Sequence, residues 1–319
     1  MKVLEPPRGL IVDLITPLNK NGDIDGRGLG QLLDRILPYV QGVLLASPYM
    51  GEGTNLDPSQ VEEVLQKSLV VVRGQVPILV WISRNAEEQT KETLLLLKKS
   101  LETRKYTGPV FWVDTPLYYH SNRGLPFHYQ NLSSMTKEPF ILLNDPELIK
   151  QLAGPLKRTN IRTAILKELV LTNAVQGLIF HGSLDRSHNY QKAVRRRSGF
   201  RIYDGEESRF LKHPSRSGLI SAGANLAPMT WQKITASSLG LDNDRKEYPD
   251  QLQQILNWGS YLQALKDLYE GVAVPLVKQV LSDLGVIDSP TYGLKTEEDI
   301  GEKVDRLKTM MKQNGDYPQ

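Results

Sequence analysis

The chain has 319 residues, a net charge of +3 and no cysteine, which excludes disulfides, thiolate metal sites and a cysteine nucleophile. Hydrophobic residues at 40% and charged residues at 24% fit a globular chain with one large core and exclude a disordered or fibrous one. So small a positive excess implies no nucleic-acid partner, and the basic run KAVRRRSGFR at 192–201 reads as a solvated helix end.

In chain order, the opening MKVLEPPRGLIVDLITP has a short apolar run broken by Pro6, Pro7 and Pro17, unlike a signal peptide. No stretch approaches membrane-spanning length, so a cytoplasmic protein without membrane contacts is expected. Eight short runs rich in Val, Ile and Leu then predict buried parallel strands. They are GLIVDLIT from Gly9, GVLLA from Gly42, PILVWIS from Pro77, PVFWVD from Pro109, PFILL from Pro139, GLIFH from Gly177, FRIY from Phe200 and GLIS from Gly218. The segments between them have helical periodicity. DPSQVEEVLQKSLVVV opens with Asp57 as an N-cap and Pro58 at the first helical position. Eight strands with intervening helices predict a (β/α)8 barrel over 1–226. After Ser221, YLQALKDLYEGVAVPLVKQVLSDLG and TEEDIGEKVDRLKTMMKQ keep helical periodicity with no further strand, so 227–319 is expected to be a helical extension, entered through the polar stretch GLDNDRKEYPD.

ITPLNKNGDID, GVLLASPYMGEGTNLDPSQ, TPLYY, ILLNDP and GLISAGANLAP, in this order and near this spacing, resemble the dihydrodipicolinate synthase and N-acetylneuraminate lyase family. The resemblance covers essentially the whole chain. It implies a (β/α)8 barrel with C-terminal helices and enzymes that join or cleave pyruvate through a Schiff base on a lysine, a nearby hydroxyl shuttling the protons.

The family lysine ends the sixth strand, and two registers compete for it. If AILKE is that strand, Lys167 is the amine; if GLIFH is, Ile179 stands in its place. The first register gives nine strands where a barrel closes with eight. Ile161, Ile165 and Leu169 also repeat every four residues, with Leu166 and Val170 widening the stripe. Lys167 is therefore predicted on the solvent side of an outer helix capped by Asn160. The resemblance marks further departures. Tyr49 and Met50 in PYMGE replace the hydroxyl pair that grips a pyruvate carboxylate, Leu143 before Asn144 replaces the relay tyrosine, and Leu148 stands near the place of an arginine. Tyr118 keeps the tyrosine that the family sends across a dimer contact, which implies a homo-oligomer, dimer or tetramer, built through the barrel mouth.

Alternation along the sixth strand makes an inward Ile179 imply an inward His181 at the strand top. His181 with Tyr118 is the candidate catalytic pair. The candidate pocket set is Tyr49, Met50, Gly51, Glu52, Asp114, Asn144, Asp204 and Ser221. A blander role is open for each: His181 bonding a loop, the aspartates capping helices, and Gly51, Glu52, Gly205, Gly218, Ser221 and Asn225 shaping turns. No pair of histidines has metal-ligand spacing, so neither metal nor cofactor is expected. The leading expectation is a divergent barrel that binds or transforms a small hydroxy or keto acid, or a sugar-like ligand, without a lysine imine. One alternative is a non-catalytic paralogue acting as binder or structural subunit. The other is a pyruvate-dependent lyase or aldolase with Lys167 as its amine.

Overall fold

Each of the eight apolar runs forms a strand in the computed structural model, which describes residues 4–153, 158–241, 250–293 and 300–317. The strands are β1 (Gly9–Asp13), β2 (Gly42–Leu45), β3 (Ile78–Trp81), β4 (Val110–Asp114), β5 (Phe140–Asn144), β6 (Val175–Phe180), β7 (Arg201–Asp204) and β8 (Gly218–Ser221). All are parallel and close in sequence order into one barrel, Gly9 of β1 lying opposite Gly218 of β8.

The helices that wrap the barrel are α1 (Gly26–Ile36), α2 (Pro58–Val72), α3 (Glu87–Thr103), the single turn α4 (Pro116–Tyr119), α5 (Leu125–Met135), α6 (Pro146–Ala153), α7 (Thr163–Leu171), α8 (Leu184–Val194) and α9 (Glu207–Lys212). They are followed by α10 (Pro228–Leu239), α11 (Asp250–Tyr269), α12 (Ala273–Asp283) and α13 (Gly301–Asn314). The predicted start of α2 is formed as a full capping box: Asp57 accepts from the Gln60 N–H at 2.9 Å, and the Gln60 side chain accepts from the Asp57 N–H at 3.0 Å.

AILKE lies within α7, with Leu166, Leu169 and Val170 buried and Lys167 exposed. Its N-cap is Arg162 rather than the expected Asn160, whose side-chain oxygen instead faces Asn144 Nδ2 at 3.5 Å. α10, the helix after β8, packs on β1 and β8 and also on α11. Most of GLDNDRKEYPD lies outside the described residues. The basic run is more than a solvated end, since Arg197 donates to Val170 O at 2.6 Å and to Gln176 Oε1 at 2.7 Å, tying α7 to β6. No helix among the described residues is long and apolar enough to cross a membrane.

Strand alternation divides the buried side chains in two. Ile11, Phe111, Val113, Ile141, Leu143 and Ile179 belong to the cluster filling the barrel interior, while the opposite faces of the same strands meet the helices in a larger cluster.

Candidate functional site

The C-terminal ends of the strands surround a cavity of about 360 Å³. Its floor is apolar, with Leu44, Leu143, Ile179 and Ile220, and its wall is polar, with Asp13, His181, Glu206, Glu207, Lys266 and Glu270. Side chains two apart on β6 and its extension share a face, so Ile179 and His181 both line it, as the alternation predicts.

His181 stands against Tyr49, ring centroids 5.1 Å apart. Behind them is Asp145, whose Oδ1 accepts the N–H groups of Glu147 at 2.7 Å and Leu148 at 3.2 Å at the start of α6. Asp145 Oδ2 accepts the Tyr49 hydroxyl at 2.5 Å and lies 3.7 Å from His181 Nδ1. Burial holds the imidazole below its ordinary pKa, Asp145 and Glu206 pulling it back only in part. A neutral ring near pH 7 can accept a proton. Burial and then Asp145 push the Tyr49 phenol well above its ordinary range, so it stays a donor.

Asp13 enters from β1. Burial raises its carboxyl to about 7, against hydrogen bonds from the Ser47 side chain and the Met50 N–H, and Glu207 pushes it further up. Glu207 is buried as well, accepting from Ser221 Oγ at 2.6 Å, from the Gly223 N–H at 2.7 Å and from the Tyr269 hydroxyl of α11. Lys266, also on α11, is bonded to Glu270 at 2.5 Å.

Of the expected residues, His181, Tyr49 and Met50 come together at the cavity. Asp114, Asn144, Asp204 and Ser221 do not line it, and the reason is common to all four. Each directly follows an inward apolar residue, respectively Val113, Leu143, Tyr203 and Ile220, and so faces the helix layer. Asp114 accepts from Ser83, Tyr119 and Tyr129. Asn144 holds the 159–161 segment through Thr159 O and the Ile161 N–H. Asp204 is bonded to Arg209 and to the Ser215 N–H, and Ser221 reaches the cavity only through Glu207. Glu52 is turned away into an ion pair with Lys278 of α12. Gly51 packs against the backbone of Ala46 and Ser47, where a Cβ has no room. Tyr118 lies on the outer rim, its hydroxyl bonded to Asn85, in a groove with Arg84 and Gln89 and apart from His181. Asp13, Asp145, Glu206, Glu207 and Lys266 were not among the expected residues.

Among the described residues, one cluster could hold a metal. His120 and His128, eight apart in sequence and so invisible to a search for close pairs, meet Glu87 with ligand atoms within 4.8 Å of one another. Their rings are stacked at 4.8 Å, and Glu87 already holds the Lys91 ammonium at 2.6 Å.

Residues 6–308 match the model of the dihydrodipicolinate synthetase family. The chain belongs to that family. A 4-hydroxy-tetrahydrodipicolinate synthase of Psychromonas ingrahamii is 26% identical over 253 residues, 77% of this chain and 80% of that protein. Dihydrodipicolinate synthase from Aquifex aeolicus superposes with a TM-score of 0.76 at 19% identity, covering 98% of this chain and 99% of that one. The prophage protein YagE of E. coli K12, a dihydrodipicolinic acid synthase family member solved in complex with pyruvate, does so with 0.75 at 18% identity, covering 96% and 98%.

Proposed function

We propose that the barrel mouth binds a small hydroxy or keto compound and acts on it by proton transfer, with His181 as the base and no lysine imine. The observation that carries this reading is the joint placement of Ile179 and Leu143 in the cavity floor and of His181, Asp13 and Glu207 in its wall. An apolar floor supplies neither the amine nor the relay hydroxyl that the resemblance asks for, whereas in the wall burial raises the proton affinity of Asp13 and Glu207 and lowers that of His181. A largely apolar cavity into which a few polar groups converge also supports a working site over a purely structural barrel. Tyr118, on the rim, fits the subunit-contact role that the resemblance implies.

Family membership favours a second reading, a pyruvate-dependent lyase or aldolase. Lys167, on the exposed face of α7, is poorly placed for it. Lys266 is the one lysine among the described residues lining the cavity, and an imine at this mouth would need its amine. Incubation with pyruvate and borohydride followed by peptide mapping separates the two. No adduct on either lysine is the expected outcome. An adduct on Lys266 would establish aldolase chemistry with a relocated amine, and one on Lys167 would also overturn the placement of α7.

A further inference from the structure

The cluster of Glu87, His120 and His128 lies apart from the residues lining the cavity. It forms where the start of α3, the residue after α4 and the first turn of α5 meet. His128 is buried, and the other two are half-buried.

Hydrogen bonds fix which ring nitrogens are bare. The Tyr119 hydroxyl donates to Asp114 Oδ2 at 2.8 Å. It therefore meets His128 Nε2, 3.1 Å away, as an acceptor, and the proton of the neutral ring is on Nε2. His120 Nδ1 lies 2.7 Å from Ser121 O. A carbonyl only accepts, so Nδ1 carries the proton there. His128 Nδ1 and His120 Nε2 are left as lone pairs, each on a ring oriented by an oxygen at its other nitrogen, which is the usual arrangement of imidazoles around a metal.

His128 Nδ1 is 3.3 Å from Glu87 Oε1. Two acceptors at that distance repel unless a cation joins them. The spacing suits one, because ligand atoms about 2.0–2.1 Å from a tetrahedral ion stand roughly 3.4 Å from one another. Lys91 holds the same carboxylate oxygen at 2.6 Å, but as an i,i+4 pair with side chains 29% and 31% exposed. Such a pair is weak and is readily displaced by an ion that also takes both imidazoles.

We propose that Glu87, His120 Nε2 and His128 Nδ1 bind a divalent transition ion of the zinc class, with water completing its coordination, and that the ion fastens the rim segment between β4 and α5 to α3. Two imidazoles and one carboxylate favour such an ion over Mg2+ or Ca2+, which prefer oxygen throughout.

The test is a titration of the metal-free full chain with Zn2+, and with Mg2+ as a control. Zn2+ should bind one to one at micromolar concentration, shift the ring resonances of His120 and His128 before those of His181, and slow amide exchange over residues 117–124. Mg2+ should do none of this. His120→Ala and Glu87→Gln, both at half-buried positions, should each weaken Zn2+ binding by at least about tenfold, and Tyr119→Phe, which takes the acceptor from His128 Nε2, by about tenfold. Lys91→Met should tighten it by removing the competing ammonium. Zn2+ that binds only at millimolar concentration, that moves His181 first, or whose affinity neither His120→Ala nor Glu87→Gln alters would overturn the site. Tight binding at these residues with unchanged exchange over 117–124 would overturn the fastening role.

Discussion

Asp13 is an acid at the end of an otherwise apolar strand, and its titration gives a direct measure of how dry the mouth is. Burial raises its carboxyl to about 7 from an ordinary 3.8, so the folded chain holds a proton that the unfolded chain has released in the interval between. Folding stability contributed by this group is full below the unfolded value and is lost as pH rises through about 7. The groups facing it, Ser47, the Met50 N–H, Tyr49 and Glu207, are common to wild type and variant, as is His181, whose lowered pKa acts in the opposite sense. Asp13→Asn should therefore melt with the wild type near pH 4 and exceed it by up to about 4 kcal/mol above pH 7, from about three pKa units at about 1.4 kcal/mol each. Parallel melting curves across that range would show Asp13 to be solvated and paired. This residue was legible in the sequence, because Ile11 and Asp13 share a parity on β1 just as Ile179 and His181 do on β6. The same alternation on the other strands turns Asp114, Asn144, Asp204 and Ser221 to the helix layer and Asp13 to the interior. Asp145 could not have been found this way, since its approach to His181 is made by the turn between β5 and α6, beyond any strand period.

At the scale of elements, the strands were readable because helices cover the barrel's outer face while side chains fill its interior, leaving unbroken apolar runs. The stripe of α7 separated Lys167 from the barrel for the same reason, a helix burying one side only. α10, which follows β8, packs on β1 and on α11 alike and so joins the barrel to the helices beyond it. One contact between elements controls the site. Gly205, just after β7, donates its N–H to Phe180 O at 3.0 Å, and a Cβ there would collide with the His181 imidazole. Gly205→Ala is expected to push the ring off Tyr49 and Asp145, cost about 1–3 kcal/mol as overpacking does, and return the His181 pKa towards its ordinary value as the ring gains solvent. An unchanged titration of His181 in a folded Gly205→Ala variant would show that the ring has room the packing denies it.

For the whole molecule, the helices beyond the barrel are part of the mouth. α11 supplies Lys266 to the cavity and Tyr269 to Glu207, Glu270 just after it lines the cavity too, and α12 supplies Lys278 to Glu52. This last pair is buried, with Lys278 0% and Glu52 6% exposed. The ammonium also donates to Thr291 O at 2.8 Å, and Glu52 Oε1 accepts the Gly293 N–H at 2.7 Å. Burial lowers the lysine pKa, and Glu52 opposes that shift. Glu52 also has a backbone φ of +51°, in the left-handed region that a non-glycine residue keeps only when its surroundings insist. The loop it ends carries Tyr49 and Met50, so the ion pair fixes the mouth from a distance. Breaking one half of such a pair leaves an uncompensated buried charge and typically costs about 3–5 kcal/mol, whereas replacing both halves is far milder. Lys278→Met should therefore destabilise the chain by about that amount in denaturant melts, and Glu52→Gln with Lys278→Met should recover most of it. The same cycle read at His181 tests the coupling to the site: the single variant should shift the ring resonances, and the double variant should restore them in part. Additive losses in the melts, with the His181 signals unmoved throughout, would make the pair an isolated tie between barrel and helices that leaves the mouth untouched.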